Sequence, residues 1–263
     1  MFTPQAPFIS HAGPERSRTA VLFIHGITEG PEQFRDMAAW ANATGLDAMA
    51  LVLPGHGGTA RDFARSGREA WEEHVCRQVE RHGKEYTGLI LAGHSMGGLL
   101  SLLAGRHHQG ITGIVTIGCP LHVRVAPRAV RNLLGLRYLP SLGGSDLEAM
   151  RRAVNVAPGA TLGYLHWLPR LRDLFALMHD ARRTLPHLNL PLLAIQGARD
   201  ELVDARRSLA CYRERVHPDR LHTLVLPEST HFRYPATDLQ ALREAFTTFC
   251  SRLPASGINK SSE

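Results

Sequence analysis

Two kinds of hydrophobic spacing alternate along this chain. Short continuous apolar runs, bounded by glycine, proline or polar residues, occur near 20–25, 47–53, 87–92, 111–118, 190–197 and 220–226. Such runs suit parallel strands buried on both faces. Between them, 32–44, 69–83, 96–108, 204–215 and 237–252 carry apolar residues three or four apart, the spacing of amphipathic helices. Pro31 stands where the first of these helices opens, a position at which a missing N–H costs nothing. A short edge strand is expected around 7–11. Alternating strands and helices predict an α/β fold, with a mostly parallel central sheet flanked by helices.

The alternation fails once. Residues 121–186, between the strands at 111–118 and 190–197, are far more than one crossover helix requires. Pro127, Pro140, Pro158 and Pro169 divide this stretch into helical pieces, which predicts a small helical cap inserted over the strand ends. The chain therefore reads as a single domain over 1–263, with a core of 1–120 and 187–253, a cap of 121–186 and a polar, flexible tail of 254–263. Within 165–178, Leu171, Phe175 and Met178 belong to a helically spaced apolar row. They are candidates for an apolar wall around a substrate; the plainer alternative is a helix packing face.

The run Gly93-His94-Ser95-Met96-Gly97-Gly98 lies between a strand pattern and a helix pattern. A G-x-S-x-G turn in that setting is a nucleophile elbow, so tight that only glycine fits beside the serine. A serine hydroxyl needs a base to take its proton and a third group to orient that base. His231 follows the strand at 220–226 in a polar turn and precedes the last helix, which makes it the candidate base. Asp200, in the turn Gly197-Ala198-Arg199-Asp200 after another buried strand, is the candidate acid, with Glu201 and Asp204 as nearby rivals. Asp204 is better placed to cap the helix at 205–215. An oxyanion would be met by the amide of Met96, after the serine, and by that of Ile27, in the turn His25-Gly26-Ile27 that ends the first long strand. His25 itself reads as a brace for that loop. Because His231 must be neutral to act, turnover is expected to rise through a pKa of about 6 to 7.

Composition narrows the picture. A chain of 263 residues with 44% hydrophobic content can bury a large core. The first residues hold no apolar signal-like run, and no stretch is long enough to span a bilayer. Cys76, Cys119, Cys211 and Cys250 are scattered without metal-ligand spacing, so reduced thiols, a cytoplasmic location and no metal are expected. The net charge is +6, carried almost wholly by arginine, but the arginines do not alternate with stacking aromatics and no nucleic-acid motif is present. Basic residues are dense in the cap, among them Arg128, Arg131, Arg170, Arg172 and Arg182, which admits a weak contact with an anionic surface.

In sum of motifs (His25-Gly26-Ile27, Leu53-Pro54-Gly55-His56-Gly57, Gly93–Gly98, Gly197–Asp200 and the late His231) the chain resembles the α/β-hydrolase superfamily, and within it the capped bacterial carboxylesterases and monoacylglycerol lipases. The likeness runs from residue 20 to 252. It implies Ser95, Asp200 and His231 as a triad, Ile27 and Met96 as oxyanion amides, and no cofactor. It implies hydrolysis of carboxylic esters of short to medium acyl chains, or of monoacylglycerol, through an acyl-enzyme. A thioesterase on the same triad, or a catalytically silent binding protein, are the alternatives.

Overall fold

The buried runs become strands because residues such as Val21, Phe23, Ile90 and Ala92 can be covered on one face while Leu22, Ile24, Leu89 and Leu91 are covered on the other. In the computed structural model, residues 2–14, 17–107, 110–127, 145–157 and 166–253 are described. Seven strands form one sheet: β1 (Phe8–Ser10), β2 (Thr19–Ile24), β3 (Asp47–Ala50), β4 (Gly88–His94), β5 (Ile111–Ile117), β6 (Leu192–Gly197) and β7 (Leu221–Leu226). Their order is β1-β3-β2-β4-β5-β6-β7, with β1 antiparallel to β3 and every other pair parallel. All parallel strands thus end along one edge, where an open α/β sheet presents its ligand-binding crevice.

Helices cover both faces. On one lie α3 (Arg68–Gly83), α4 (Met96–His107), α6 (Leu168–Thr184) and α7 (Ala205–Arg215); on the other lie α1 (Arg35–Ala43) and α8 (Ala236–Arg252). A 3-10 turn, Pro31–Phe34, leads into α1, with proline at its start. Within 121–186 the structure describes two helices, α5 (Ser145–Ala153) and α6. Helix α6 is as much core as cover: Leu177, Met178 and Ala181 pack with Leu99 and Leu102 of α4 in the larger hydrophobic cluster. The expected tail of 254–263 lies outside the described residues, as do Arg128 and Arg131.

Two expectations needed revision. The strand predicted over 47–53 ends at Ala50. Leu51 N–H still reaches Phe23 O at 3.1 Å, but Leu53 N–H turns to His25 Nε2 at 3.0 Å, so the apolar 51–53 segment is a buried loop. Helix α2 (Ala60–Arg65) was not expected. It is held by a reciprocal cap, in which Thr59 Oγ1 accepts from Asp62 N–H and Asp62 Oδ2 accepts from Thr59 N–H.

The described stretches of 121–186 are held by polar bonds to one another and to the core. Arg170 Nη1 donates to Ala64 O at 2.7 Å and to Ser66 O, Arg182 Nη1 donates to Leu121 O at 2.6 Å, and Arg233 pairs with Asp146 at 2.7 Å. At the end of α5, Gly30 N–H reaches Ala153 O at 2.9 Å, Asn155 N–H reaches Thr28 O at 2.8 Å, and Gly57 N–H reaches Asn155 O at 2.6 Å. Gln5 N–H donates to Asn155 Oδ1 at 2.8 Å from the N-terminal segment. Arg170 and Arg182 therefore serve attachment, which leaves them less available to a surface outside the molecule.

Candidate active site

Ser95 follows the last residue of β4 and precedes the first of α4. Its φ is 53°, and it is the one non-glycine residue with positive φ among those described. An L-residue in that region carries strain, and a polar side chain held there projects from the turn. The turn closes because its neighbours have no side chain: a Cβ on Gly97 would run into Ile24 O, and one on Gly93 into the backbone of Gly97. Ser95 N–H bonds Ile117 O at 2.9 Å, fixing the elbow to β5. Met96 opens α4, so its N–H belongs to the unpaired donors at a helix N-terminus.

Beyond the ends of β6 and β7, two further side chains meet. His231 Nδ1 donates to Asp200 Oδ2 at 2.7 Å, with both residues buried. The other carboxylate oxygen, Asp200 Oδ1, accepts from Leu202 N–H and Val203 N–H, each at 2.8 Å, so the carboxylate cannot turn away. Glu201 takes a different part from the one considered above: its Oε2 accepts the backbone N–H of His231 at 3.2 Å. Asp204 caps α7, accepting from Arg207 N–H at 3.0 Å.

Burial alone would lower the His231 pKa, but the charge and hydrogen bond of Asp200, with Glu29 and Glu201 behind, carry it up to about 9. Burial would raise Asp200, yet His231 and the two backbone donors hold it below the usual carboxylate range. The pKa of about 6 to 7 expected for the base is thus displaced upward, because a buried carboxylate faces the ring.

The loop after β2 is braced from several sides. His25 Nδ1 donates to Gly26 O at 2.9 Å while Nε2 accepts from Leu53 N–H. Burial drives its pKa down to about 3, so the ring is neutral and structural. His56 Nε2 donates to Ile27 O at 2.8 Å. Glu29, buried, accepts from Gly26 N–H at 2.7 Å. Sequence reading assigned no part to His56 or Glu29, although each stands in a short glycine-flanked motif. Glu29, His94 and His231 form the one cluster of metal-ligand type among the described residues, within 4.8 Å. Both His94 nitrogens and His231 Nδ1 are already engaged in hydrogen bonds.

The wall residues separate along α6. Leu171 and Phe175 are exposed, at 46% and 54%, whereas Met178 is 3% exposed in the core. A cavity of about 740 Å³ opens between α1, α5 and the loop after β7, with Trp40, Arg152 and Phe232 among its lining and His94 at one side. Ser95 is not among the residues that line it.

Comparison with known proteins shows what the chain is similar to. A model described as serine aminopeptidase, S33, matches residues 15–154. A thermostable monoacylglycerol lipase of Bacillus sp. (strain H-257) is 29% identical over 212 residues, covering 76% of this chain and 78% of that one. The monoglyceride lipase of Homo sapiens is 27% identical over 220 residues, covering 76% and 71%. Among solved structures, a soluble variant of the Saccharomyces cerevisiae monoglyceride lipase superposes with a TM-score of 0.70 at 16% identity, over 92% of this chain and 90% of that one. A structure described with the metagenome-derived lipolytic enzymes LipS and LipT gives 0.72 at 23% identity, over 95% and 98%. These two likenesses speak for the fold.

Proposed function

The chain belongs to the serine aminopeptidase S33 family and is a serine hydrolase of the α/β-hydrolase fold; from that premise we propose that it cleaves carboxylic esters, with monoacylglycerols or esters of short to medium acyl chains as its substrates. The observation that carries this reading is the buried 2.7 Å bond between His231 and Asp200, borne on loops at the same sheet edge as the strained Ser95. Relatives whose names specify monoacylglycerol lipases favour an ester of that class.

In this mechanism Ser95 Oγ attacks the ester carbonyl while His231 Nε2 takes its proton. Asp200 keeps the proton on Nδ1, so Nε2 presents its lone pair, and stabilises the imidazolium that forms. The alkoxide of the tetrahedral intermediate is met by the N–H groups of Met96 and Ile27. The helix α4 N-terminus lies where that negative charge develops. His231 then protonates the leaving alcohol, and water, activated by the same ring, releases the acid from the acyl-enzyme. Leu171 and Phe175 supply apolar contact for the acyl chain, and Met178 supports them from the core. We place the protein in the cytoplasm, in keeping with four free cysteines and with the absence, among the described residues, of any helix long and apolar enough to cross a membrane.

The test is hydrolysis of monoacylglycerols and of p-nitrophenyl esters of graded chain length by wild type and Ser95→Ala. Turnover should fall on the order of a million-fold in the variant. A serine-directed phosphonate should label the wild type and not the variant. Retention of several per cent of activity by pure Ser95→Ala would remove Ser95 from this role. Preference for an acyl thioester over the matching glycerol ester would move the substrate class.

A further inference from the structure

Beneath the elbow lies a buried pair that the reaction above does not use. His94, beside Ser95 in sequence, has both ring nitrogens facing acceptors: Nδ1 stands 2.8 Å from Glu29 Oε2, and Nε2 stands 3.0 Å from the backbone oxygen of His231. A carbonyl oxygen only accepts, so Nε2 must donate. Glu29 Oε2 is also the atom on which Gly26 N–H, at 2.7 Å, and Gln33 Nε2, at 2.8 Å, converge. An oxygen receiving two N–H donors has no room for a proton of its own, so Nδ1 must donate as well. Either neutral tautomer of His94 would set a lone pair against a lone pair at about 3 Å in a site screened from water.

We propose that Glu29 and His94 form a buried carboxylate–imidazolium pair, and that Glu29 is a positioning residue which, through His94, ties the oxyanion loop to the loop of the catalytic base. The chain of contacts runs Gly26 N–H, Glu29, His94, His231 C=O. It touches three segments that must hold register for proton transfer: the turn carrying the Ile27 amide, the elbow and the base loop. The far side of the base loop is held by Glu201 at His231 N–H, so the backbone of His231 is pinned at both its polar atoms. The charges also balance. His231 becomes cationic during turnover beside a pair that is neutral as a unit, so the fixed positive charge on His94 does not oppose it. In keeping with this, burial would raise the Glu29 pKa, but the charge and hydrogen bond of His94 bring it down to about 2.

The inference rests on the assignment of Ser95 and His231 as nucleophile and base, and its test is arranged so that the two can fail separately. Nitrogen-15 spectra of histidine-labelled wild type, near neutral pH, should show two protonated ring nitrogens for His94. A single protonated nitrogen overturns the proposal, whatever the variants do. Glu29→Gln keeps an acceptor oxygen for Gly26 but removes the negative charge that favours a protonated His94, so His94 should lose one ring proton there. With active sites counted by phosphonate titration, kcat per active site of Glu29→Gln should fall about ten- to a hundredfold, by analogy with the loss seen when the groups that orient metal-ligating histidines are removed, while KM stays within about threefold. A merely structural role would lower the fraction of titratable sites and leave kcat per site unchanged, and that result also overturns the proposal. Failure of the phosphonate to label wild-type Ser95 would instead sink the reading of the site on which it rests.

Discussion

Asp200 and Asp204 are four residues apart, and one substitution at each separates an orienting carboxylate from a capping one. In Asp200→Asn the side-chain oxygen remains the natural partner of Leu202 and Val203 N–H, which turns the amide NH₂ toward His231. The ring must then accept at Nδ1 and carry its proton on Nε2, the wrong tautomer for a base, and turnover should fall roughly ten-thousand-fold. Asp204→Asn should cost about 1 kcal/mol or less of stability and leave kcat nearly unchanged. Reversed results in a kinetic and melting comparison would reverse the assignment. A second outcome concerns pH. With His231 raised above the ordinary value of about 6.5, wild-type kcat/KM should rise through an apparent pKa above that value, and loss of the Asp200 charge should move the limb to lower pH. The turn positions of Ser95, Asp200 and His231 were legible in the sequence because each follows a recognisable strand. Glu29, His56 and Glu201 were not, because their roles come from hydrogen bonds between loops distant in sequence, which leave no local periodicity.

Helix α6 is the element whose reading was divided, and its geometry explains why. The same helical spacing serves two surfaces: Leu177, Met178 and Ala181 pack into the core with α4, while Leu171 and Phe175 stand exposed. Periodicity reports that a helix has an apolar face without saying where along its length the core ends. Met178→Ala should therefore cost about 2 to 5 kcal/mol in denaturant unfolding and leave chain-length preference alone. Phe175→Ala should change stability by less than about 0.5 kcal/mol and shift preference toward longer chains. The scale is about 0.8 kcal/mol, or fourfold in kcat/KM, for each methylene newly accommodated. An unchanged chain-length profile for Phe175→Ala would assign that side chain away from the substrate. The elbow is less forgiving. Gly97→Ala brings a methyl group against backbone, which cannot yield as a side chain would, and soluble active protein should be lost. The parallel strands were readable from their continuous apolar runs. The end of β3 was not, because Leu51, Val52 and Leu53 are as apolar as a strand while Leu53 N–H leaves the sheet for the His25 ring.

For the molecule as a whole, the His231–Asp200 bond makes stability depend on pH in a direction that can be worked out. The folded-state pKa of His231 lies above its unfolded value, so its contribution is full below about 6.5 and is lost as pH rises through about 9. Asp200 is depressed, so its contribution is full above about 3.9 and is lost as pH falls through the folded pKa. Melting temperature should thus decline between the two histidine values on the alkaline side, and calorimetry of Asp200→Asn should give a flatter decline. A slope unchanged by the substitution would mean that other groups dominate. Outside the stretch 121–186, the order of the strands and of most helices was legible at this scale, since a buried parallel sheet leaves a strong pattern. The fastening of that segment was not, because single polar contacts such as Gln5 with Asn155 obey no repeat. Those contacts bear on how the enzyme could be re-engineered. Ala153 and Asn155 bond to Gly30, Thr28 and Gly57, so the exit of α5 is also a wall of the turn after β2, where we propose the Ile27 amide meets the oxyanion. A chimera that imports a foreign lid by splicing before Ala153 would discard half of that wall and give a folded scaffold with a slack anion pocket. The seam for a functional transplant lies after Ala157, with residues 153–157 kept from the host.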